Sequence, residues 1–290
     1  EMTSSLVGSE MCIRDSLYAS LGVQVTLVEY MPQIMPLEDE EVAKTMERAF
    51  RKLRTTVLTS ATVKSVTVAE DDTCRVEVET RKGLETLTAE VVLSAVGIQS
   101  NIENMGLEEA GVKTDRGKVI VDPFYRTSAP GVYAIGDIIP TPALAHVAST
   151  EAICCVEAIC GLDPAPVDYT TVPSCIFTTP EVASVGMTEQ RAREQGIEYK
   201  VGRFPFTASG KATAAGDRDG FVKLLFDEQD RLIGAHLVGA NVTEMIAEPT
   251  LAKSLGATAH AIARTIHAHP TMNEGLMEAA EAALGQAVHI

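Results

Sequence analysis

The stretch from Val23 to Arg54 restricts the fold more than any other part of the chain. Val23-Gln-Val-Thr-Leu-Val-Glu29 is a short β-branched run that ends in an acid. Glu38-Asp39-Glu40-Glu41 then opens a helix reaching about Leu53, with Arg51, Lys52 and Arg54 at its far end. Acids at a helix start and bases at its end complement the helix dipole, so the charge order marks both termini. Strands are predicted at 62–69, 74–80 and 87–96, the last two joined by the turn residues Arg81-Lys82-Gly83. Strand, helix, strand and then a meander is the pattern of an α/β layer.

A second block begins near Ile98. Val119–Asp122 and Gly131–Asp137 are predicted strands, Leu144–Ile159 an apolar, alanine-rich helix, and Asp163-Pro-Ala-Pro-Val167 a linker. From about residue 170, strands (181–187, 199–206, 220–226, 231–238) alternate with helices (188–195, 242–255, 271–284). That third block is α+β with a mostly antiparallel sheet. The fold class is therefore α/β plus α+β, and no internal repeat is present.

Composition excludes several function classes. The net charge is −16 and no basic cluster exceeds Arg51-Lys-Leu-Arg54, so no stripe exists to neutralise nucleic-acid phosphates. No apolar run approaches the ~18 residues of a membrane helix, and the start lacks the basic and apolar regions of a signal peptide. Six cysteines, at 12, 74, 154, 155, 160 and 175, show no zinc spacing and fit a reducing cytoplasm. No metal site is expected.

Four motifs carry chemistry. An acid such as Glu29, at the end of a dinucleotide-fold strand, accepts ribose hydroxyls and repels a 2′-phosphate. The glycine loop that should precede it is broken, because Leu6-Val-Gly-Ser-Glu-Met11 supplies only Gly8. In Thr127-Ser-Ala-Pro-Gly-Val-Tyr-Ala-Ile-Gly-Asp137, Gly136 lets the Asp137 carboxylate meet a ribityl or ribose hydroxyl, with the helix from Leu144 pointing its N-terminus at the same place. A plain strand–turn with an Asx cap is the alternative there. Cys155 and Cys160 have a redox-like gap, but on one helix they diverge by ~500° of rotation and lie ~7.5 Å apart along the axis. With Cys154 they read as small buried packing residues. His146 reads as a cap beside the Asp137 loop.

The fourth motif is His267-Ala-His-Pro-Thr-Met-Asn-Glu274. Proline fixes its own φ at about −65° and keeps the preceding residue out of the helical region. His269 is thus expected just before a helix starting at Pro270 or Thr271, with Glu274 in the first turn and His267 a neighbour of the pair. The carboxylate can hold one imidazole nitrogen and leave the other free to take a proton. A helix start with Glu274 as capping group is the bland alternative.

Taken in order, Val25-Thr-Leu-Val-Glu29, Leu93-Ser-Ala-Val-Gly-Ile98, Tyr133-Ala-Ile-Gly-Asp137, Pro142-Ala-Leu-Ala-His146 and His267–Glu274 are highly specific. From Leu17 to Ile290 the chain resembles the dihydrolipoamide (dihydrolipoyl) dehydrogenase family, class I pyridine nucleotide-disulfide oxidoreductases that are flavoproteins. The resemblance implies a partial NAD-binding domain at 17–97, the return segment of an FAD-binding domain at 98–166, and a dimerisation domain at 170–290. It implies that Glu29, Val63, Ala95, Val96, Gly97 and Ile98 line the NAD pocket, and that Gly136, Asp137 and Ala145 meet FAD. His269 would be the acid/base and Glu274 its orienter, acting on the disulfide and flavin of the partner in a homodimer. The substrate implied is dihydrolipoamide, carried on a lipoyl domain of a 2-oxoacid dehydrogenase or glycine cleavage complex.

Two departures stand out. No glycine-rich FAD strand and no redox cysteine pair are present, and residues 1–16 do not resemble the family. The chain is therefore expected to be the C-terminal portion of a longer product with an artefactual start, inactive alone. Glutathione or trypanothione reductase would want basic residues near Glu29, and mercuric reductase a terminal cysteine pair. A soluble transhydrogenase stays open, as does a non-catalytic dimerisation or adaptor module.

Overall fold

The computed structural model describes residues 7–290, with side chains from Cys12 onward. Helix α1 (Val7–Ser20) leads to β1 (Thr26–Glu29), α2 (Glu40–Lys52) and β2 (Thr56–Thr59). β1 and β2 pair in parallel, Thr26 beside Thr56 and Glu29 beside Thr59, so the first motif is a βαβ crossover. The meander β3 (Thr62–Val68), β4 (Cys74–Thr80), β5 (Gly83–Ala89) follows, its second turn at residues 81–82. Next come the short β6 (Thr114–Asp115) and β7 (Lys118–Val119), a 3₁₀ turn at Gly136–Ile138, and α3 (Ala145–Ile159).

The last part holds β8 (Pro173–Ile176), β9 (Glu181–Gly186), α4 (Glu189–Glu194), β10 (Lys200–Pro205), α5 (Gly210–Ala215), β11 (Phe221–Phe226) and β12 (Leu232–Gly239). Four helices complete it: α6 (Val242–Met245), α7 (Ala247–Ser254), α8 (Ala259–Arg264) and α9 (Glu274–Ala283). Its five strands form one antiparallel sheet in the order β10-β11-β12-β9-β8. Residues 8–95 and 173–290 make one compact unit and residues 96–172 another. The boundary drawn at residue 17 from the sequence falls inside α1, where Cys12 is fully buried and the Ser16 hydroxyl accepts the Thr179 N–H at 2.8 Å.

Several predicted strands are shorter than expected or not formed. Val91 and Val92 have the propensity, but residues 90–98 find no ladder partner among the described residues, and Val91 is 81% exposed. Residues 131–137 contribute one isolated bridge, Tyr133 to Arg126, because positive φ at Gly131 and Gly136 ends the extended path. The predicted helix at 242–255 is broken into α6 and α7. Pro249 has no N–H for the Met245 carbonyl, and its ring would clash there.

The antiparallel sheet carries a core on each face. One is built from Phe204, Val222, Leu224, Ala235 and Leu237 against α5 to α9. The other joins Phe221, Val238, Val182 and Ile176 to Cys12, Leu27 and the α2 stripe Val42, Met46 and Phe50. That stripe repeats every fourth residue, one face of a helix, and burying Met46 or Phe50 stabilises by about 1.5–3 kcal/mol each. Within this packing lies a polar row, Arg203, Lys223, His236 and Ser184, directly opposite one another across β10, β11, β12 and β9.

Lys223 is the centre of that row, its side chain 2% exposed. Its Nζ donates to Asp39 Oδ1 at 2.8 Å and Glu189 Oε2 at 2.6 Å, with Glu41 at 3.5 Å. Asp39 also caps α2 through the Glu41 N–H at 3.0 Å and accepts the Glu189 N–H at 3.0 Å. Burial alone would lower the Lys223 pKa, but its bonds to Asp39 and Glu189 outweigh burial and raise it.

Next door, Glu38 is buried and its Oε2 has no hydrogen-bond partner. Burial, reinforced by the Asp39 charge, pushes its pKa up to about 7 against the Ser184 hydroxyl and Arg191. The unfolded chain loses this proton first, so between about 4.5 and about 7 stability falls as pH rises. Glu38→Gln, neutral throughout, is expected to remove that decline, so that thermal melts at about pH 5 and about pH 8 differ less than in the parent chain.

Candidate active site

Helix α9 is seated on β10 by a contact that admits no side chain. A Cβ added at Gly202 would lie 1.8 Å from the Ala279 carbonyl oxygen, and one at Gly275 would meet Val222, Phe204 and Phe206 at 3.2–3.3 Å. The start of α9 is thereby fixed against the sheet. The helix begins at Glu274, not at Pro270 or Thr271 as the sequence predicts, because residues 271–273 form a turn closed by Glu274 itself. Glu274 Oε2 accepts the Thr271 N–H at 2.8 Å, and the Thr271 hydroxyl donates to the Ala268 carbonyl at 2.7 Å. The His269–Pro270 peptide is cis.

The other oxygen of Glu274 faces His269: Oε1 lies 2.8 Å from Nδ1. The capping and orienting roles thus coexist, one on each carboxylate oxygen. Burial opposes ionisation of Glu274, but the Thr271 N–H, His269 and His267 outweigh it and lower its pKa. The His269 side chain is 77% exposed, and Nε2 has no hydrogen-bond partner among the described residues. Such a pair can present Nε2 to an incoming group and move one proton there.

A second histidine sits beside this pair. His267 Nε2 is 2.7 Å from Glu248 Oε1, and Nδ1 is 2.9 Å from the Thr265 carbonyl oxygen. Glu248 Oε2 accepts from Asn273 Nδ2 at 3.0 Å, tying α7 to the N-cap residue of α9. Glu248 and Asn273 escape sequence reasoning: nineteen residues separate Glu248 from His267, and only the fold brings them together.

Glu29, at the end of β1, is mostly buried. Its Oε1 accepts the Met31 N–H at 2.8 Å. Burial raises its pKa, against the Met31 and Tyr30 amides. A carboxylate offers about four acceptor sites, so Glu29 retains capacity for a hydroxyl pair. Its own carbonyl accepts the Ala61 N–H at 3.0 Å, which brings the start of β3, with the exposed Val63, to the end of β1. Ala95 belongs to the same unit as Glu29 and Val63, whereas Val96, Gly97 and Ile98 belong to the other.

In the 96–172 unit the Asp137 carbonyl accepts from Lys118 Nζ at 2.6 Å and from the Ser100 hydroxyl at 2.8 Å. Gly136 has φ +73°, and a Cβ there would press on Ala148 at 3.3 Å, so the turn lies hard against α3. The Asp137 side chain is exposed, as is Ala145 at the start of α3, whose N-cap residue Leu144 makes no side-chain cap. A close backbone turn, a carboxylate and uncapped helix amides suit the ribityl and phosphate groups of a flavin nucleotide.

Glu151 holds this turn from behind. It is fully buried, accepts the Gly136 N–H at 2.7 Å and the Tyr169 hydroxyl at 2.9 Å, and Tyr125 meets Tyr169 at 3.1 Å. A glutamate in line with Val147 and Cys154 on the apolar stripe of α3 was its sequence signal. All six cysteines are free. Cys154 and Cys155 are buried as predicted, but Cys160 is exposed, because it ends α3 and five residues of helix turn it onto another face.

Residues 4–152 match the pyridine nucleotide-disulphide oxidoreductase family, and residues 172–280 match the dimerisation domain of the same enzymes. The chain belongs to this family. The match begins at residue 4 and so takes in most of the start that the sequence motifs set apart. Among the curated relatives of this chain, the dihydrolipoyl dehydrogenase of Zymomonas mobilis is 43% identical over 99% of the chain and 61% of the relative. That of Rhizobium etli is 45% identical, over 99% and 60%. The chain thus spans about 60% of the length of these relatives.

Among solved structures, LpdA from Mycobacterium tuberculosis aligns with a TM-score of 0.85 at 27% identity, covering 94% of this chain and 59% of that one. The HOCl-induced flavoprotein disulfide reductase RclA from Escherichia coli, as a Cu(II) complex, gives 0.85 at 26% identity, covering 92% and 60%. No helix of the described residues is long and apolar enough to cross a membrane.

Proposed function

We propose that this chain forms the nucleotide-side and interface part of a dihydrolipoyl dehydrogenase. The observation that carries the reading is the oriented imidazole: His269 is held at Nδ1 by Glu274, with Nε2 exposed and open. Relatives of 43–45% identity bearing that name support it. A dithiol is a weak nucleophile until it loses a proton. Nε2 of His269 takes that proton, and Glu274 keeps the ring aimed while its charge balances the imidazolium formed. FAD, where bound, would supply the two-electron chemistry that links the dithiol to NAD⁺.

Glu29 would hold the adenosine ribose of NAD, with Val63 and Ala95 lining the same pocket, and Gly136, Asp137 and Ala145 would hold FAD. The protein would act as a homodimer in a reducing cytoplasm, each exposed His269 completing the site of its partner. Its substrate would be lipoamide on a lipoyl domain of a 2-oxoacid dehydrogenase or glycine cleavage complex.

The test is a chimera in which this chain replaces the matching part of the Rhizobium etli dihydrolipoyl dehydrogenase. A flavin-loaded chimera is expected to oxidise dihydrolipoamide with NAD⁺. If it instead moves hydride between NADH and NADPH and ignores dithiols, the transhydrogenase reading replaces this one. In the same chimera Glu29→Gln is expected to weaken NADH roughly tenfold, about 1.4 kcal/mol, in a fluorescence titration. Unchanged affinity would remove Glu29 from the nucleotide site.

A further inference from the structure

His267 is surrounded by acceptors. Nδ1 faces the Thr265 carbonyl oxygen at 2.9 Å, which can only accept, and Nε2 faces Glu248 at 2.7 Å, which accepts whenever it is ionised. A neutral imidazole carries one N–H and could satisfy only one of the two. The imidazolium satisfies both. Its side chain is 4% exposed, so water is poorly placed to take over either contact. Glu248 is fitted to the same end: Asn273 donates to its second oxygen, and the carboxyl pKa is lowered against burial by His267 and Asn273 together.

The charged groups acting on His267 lie on two helices. Glu248 of α7 bonds the ring directly, and Glu274 of α9 acts through space. His269 and His267 in turn both act on the Glu274 carboxyl. The polar neighbours are the Thr265 carbonyl, at the end of α8, and the Asn273 amide.

We propose that His267 is a positioning residue, locked as an imidazolium between Glu248 and the Thr265 carbonyl. With Glu248 and Asn273 it clamps the turn that enters α9 and keeps Glu274 ionised to hold His269. This rests on reading His269 as the base. The clamp is nevertheless a property of the free chain and is tested without substrate, flavin or nucleotide.

The experiment is nitrogen-15 histidine NMR on the 290-residue chain, with carbon-13 labelling of glutamate carboxyls. Both ring nitrogens of His267 are expected at protonated shifts at about pH 7.5, a full unit above the ordinary histidine pKa of about 6.5. In Glu248→Gln the ring is expected to be neutral there, with a single N–H. In His267→Gln the Glu274 carboxyl is expected to titrate roughly half a unit or more higher, as loss of a nearby cation requires. A neutral His267 ring in the parent chain at that pH overturns the proposal even if both variants fail to fold. So does a Glu274 titration indifferent to His267→Gln. Failure of dihydrolipoamide turnover in the chimera would strike the assigned substrate and leave these spectra unchanged, so the two failures are distinguishable.

Discussion

Alanine at position 269 is expected to lower kcat for dihydrolipoamide oxidation by the chimera about a hundred- to ten-thousand-fold, the usual contribution of a positioned proton-transfer group. The side chain is mostly exposed and packs against little, so fold and melting temperature should hardly move. NADH-driven reduction of an artificial acceptor, which needs no thiol proton, is the control expected to survive. Glu274→Gln should fall between the parent and His269→Ala, about ten- to a hundredfold down. Glutamine has one acceptor oxygen where glutamate uses two; if it stays on the Thr271 N–H, the amide NH2 faces Nδ1 as a donor, which places the ring proton on Nε2 and removes the free base there. Full turnover by His269→Ala would end the assignment.

Lys223→Met is expected to cost about 3–5 kcal/mol of stability, the range for removing one partner of a buried ion pair. It strands the Asp39 carboxylate, whose side chain is 1% exposed and whose bonds otherwise run to two helix starts, Glu41 and Glu189. In a chain of this size that is a fall in melting temperature on the order of 10 °C. Adding Asp39→Asn, which keeps the α2 cap and removes the stranded charge, should recover much of the loss.

The pH dependence follows from the two shifts. Burial opposes the charged form of Asp39, but Lys223 outweighs it and lowers the pKa, so its contribution is present above the unfolded value of about 3.9 and is lost as pH falls through the folded one. The Lys223 pKa is raised, so its contribution is present below about 10.4 and is lost as pH rises through the folded value. Differential melts of parent and variant across that range check both limbs. A constant difference down through the acid limb would show that the cluster is not ionic.

Much of this architecture could be read from local chemistry. The helix from Glu40 announced itself through acids at its start and bases at its end, and β11 through the run Phe221–Phe226. The contact between His269 and Glu274 was legible because a proline and a five-residue gap bring the two side chains together. What could not be read depended on distant partners. β8 begins with a proline and exists only as an edge strand along β9. Lys223 gives no sign in the sequence of its role, since its counter-charges come from α2 and α4, one of them 184 residues away. The strand expected at 87–96 fails in the opposite sense beyond Ala89: the side chains suit a strand, but a ladder needs a neighbour.

The seat of α9 on β10 has an evolutionary corollary. Position 202 is buried beneath α9, and a single methyl there would wedge the helix outward from the Ala279 carbonyl and carry the Glu274 carboxylate away with it. A library selected for turnover should therefore return glycine at 202 almost as stubbornly as histidine at 269. Drift at this site is policed from a spot whose only merit is emptiness.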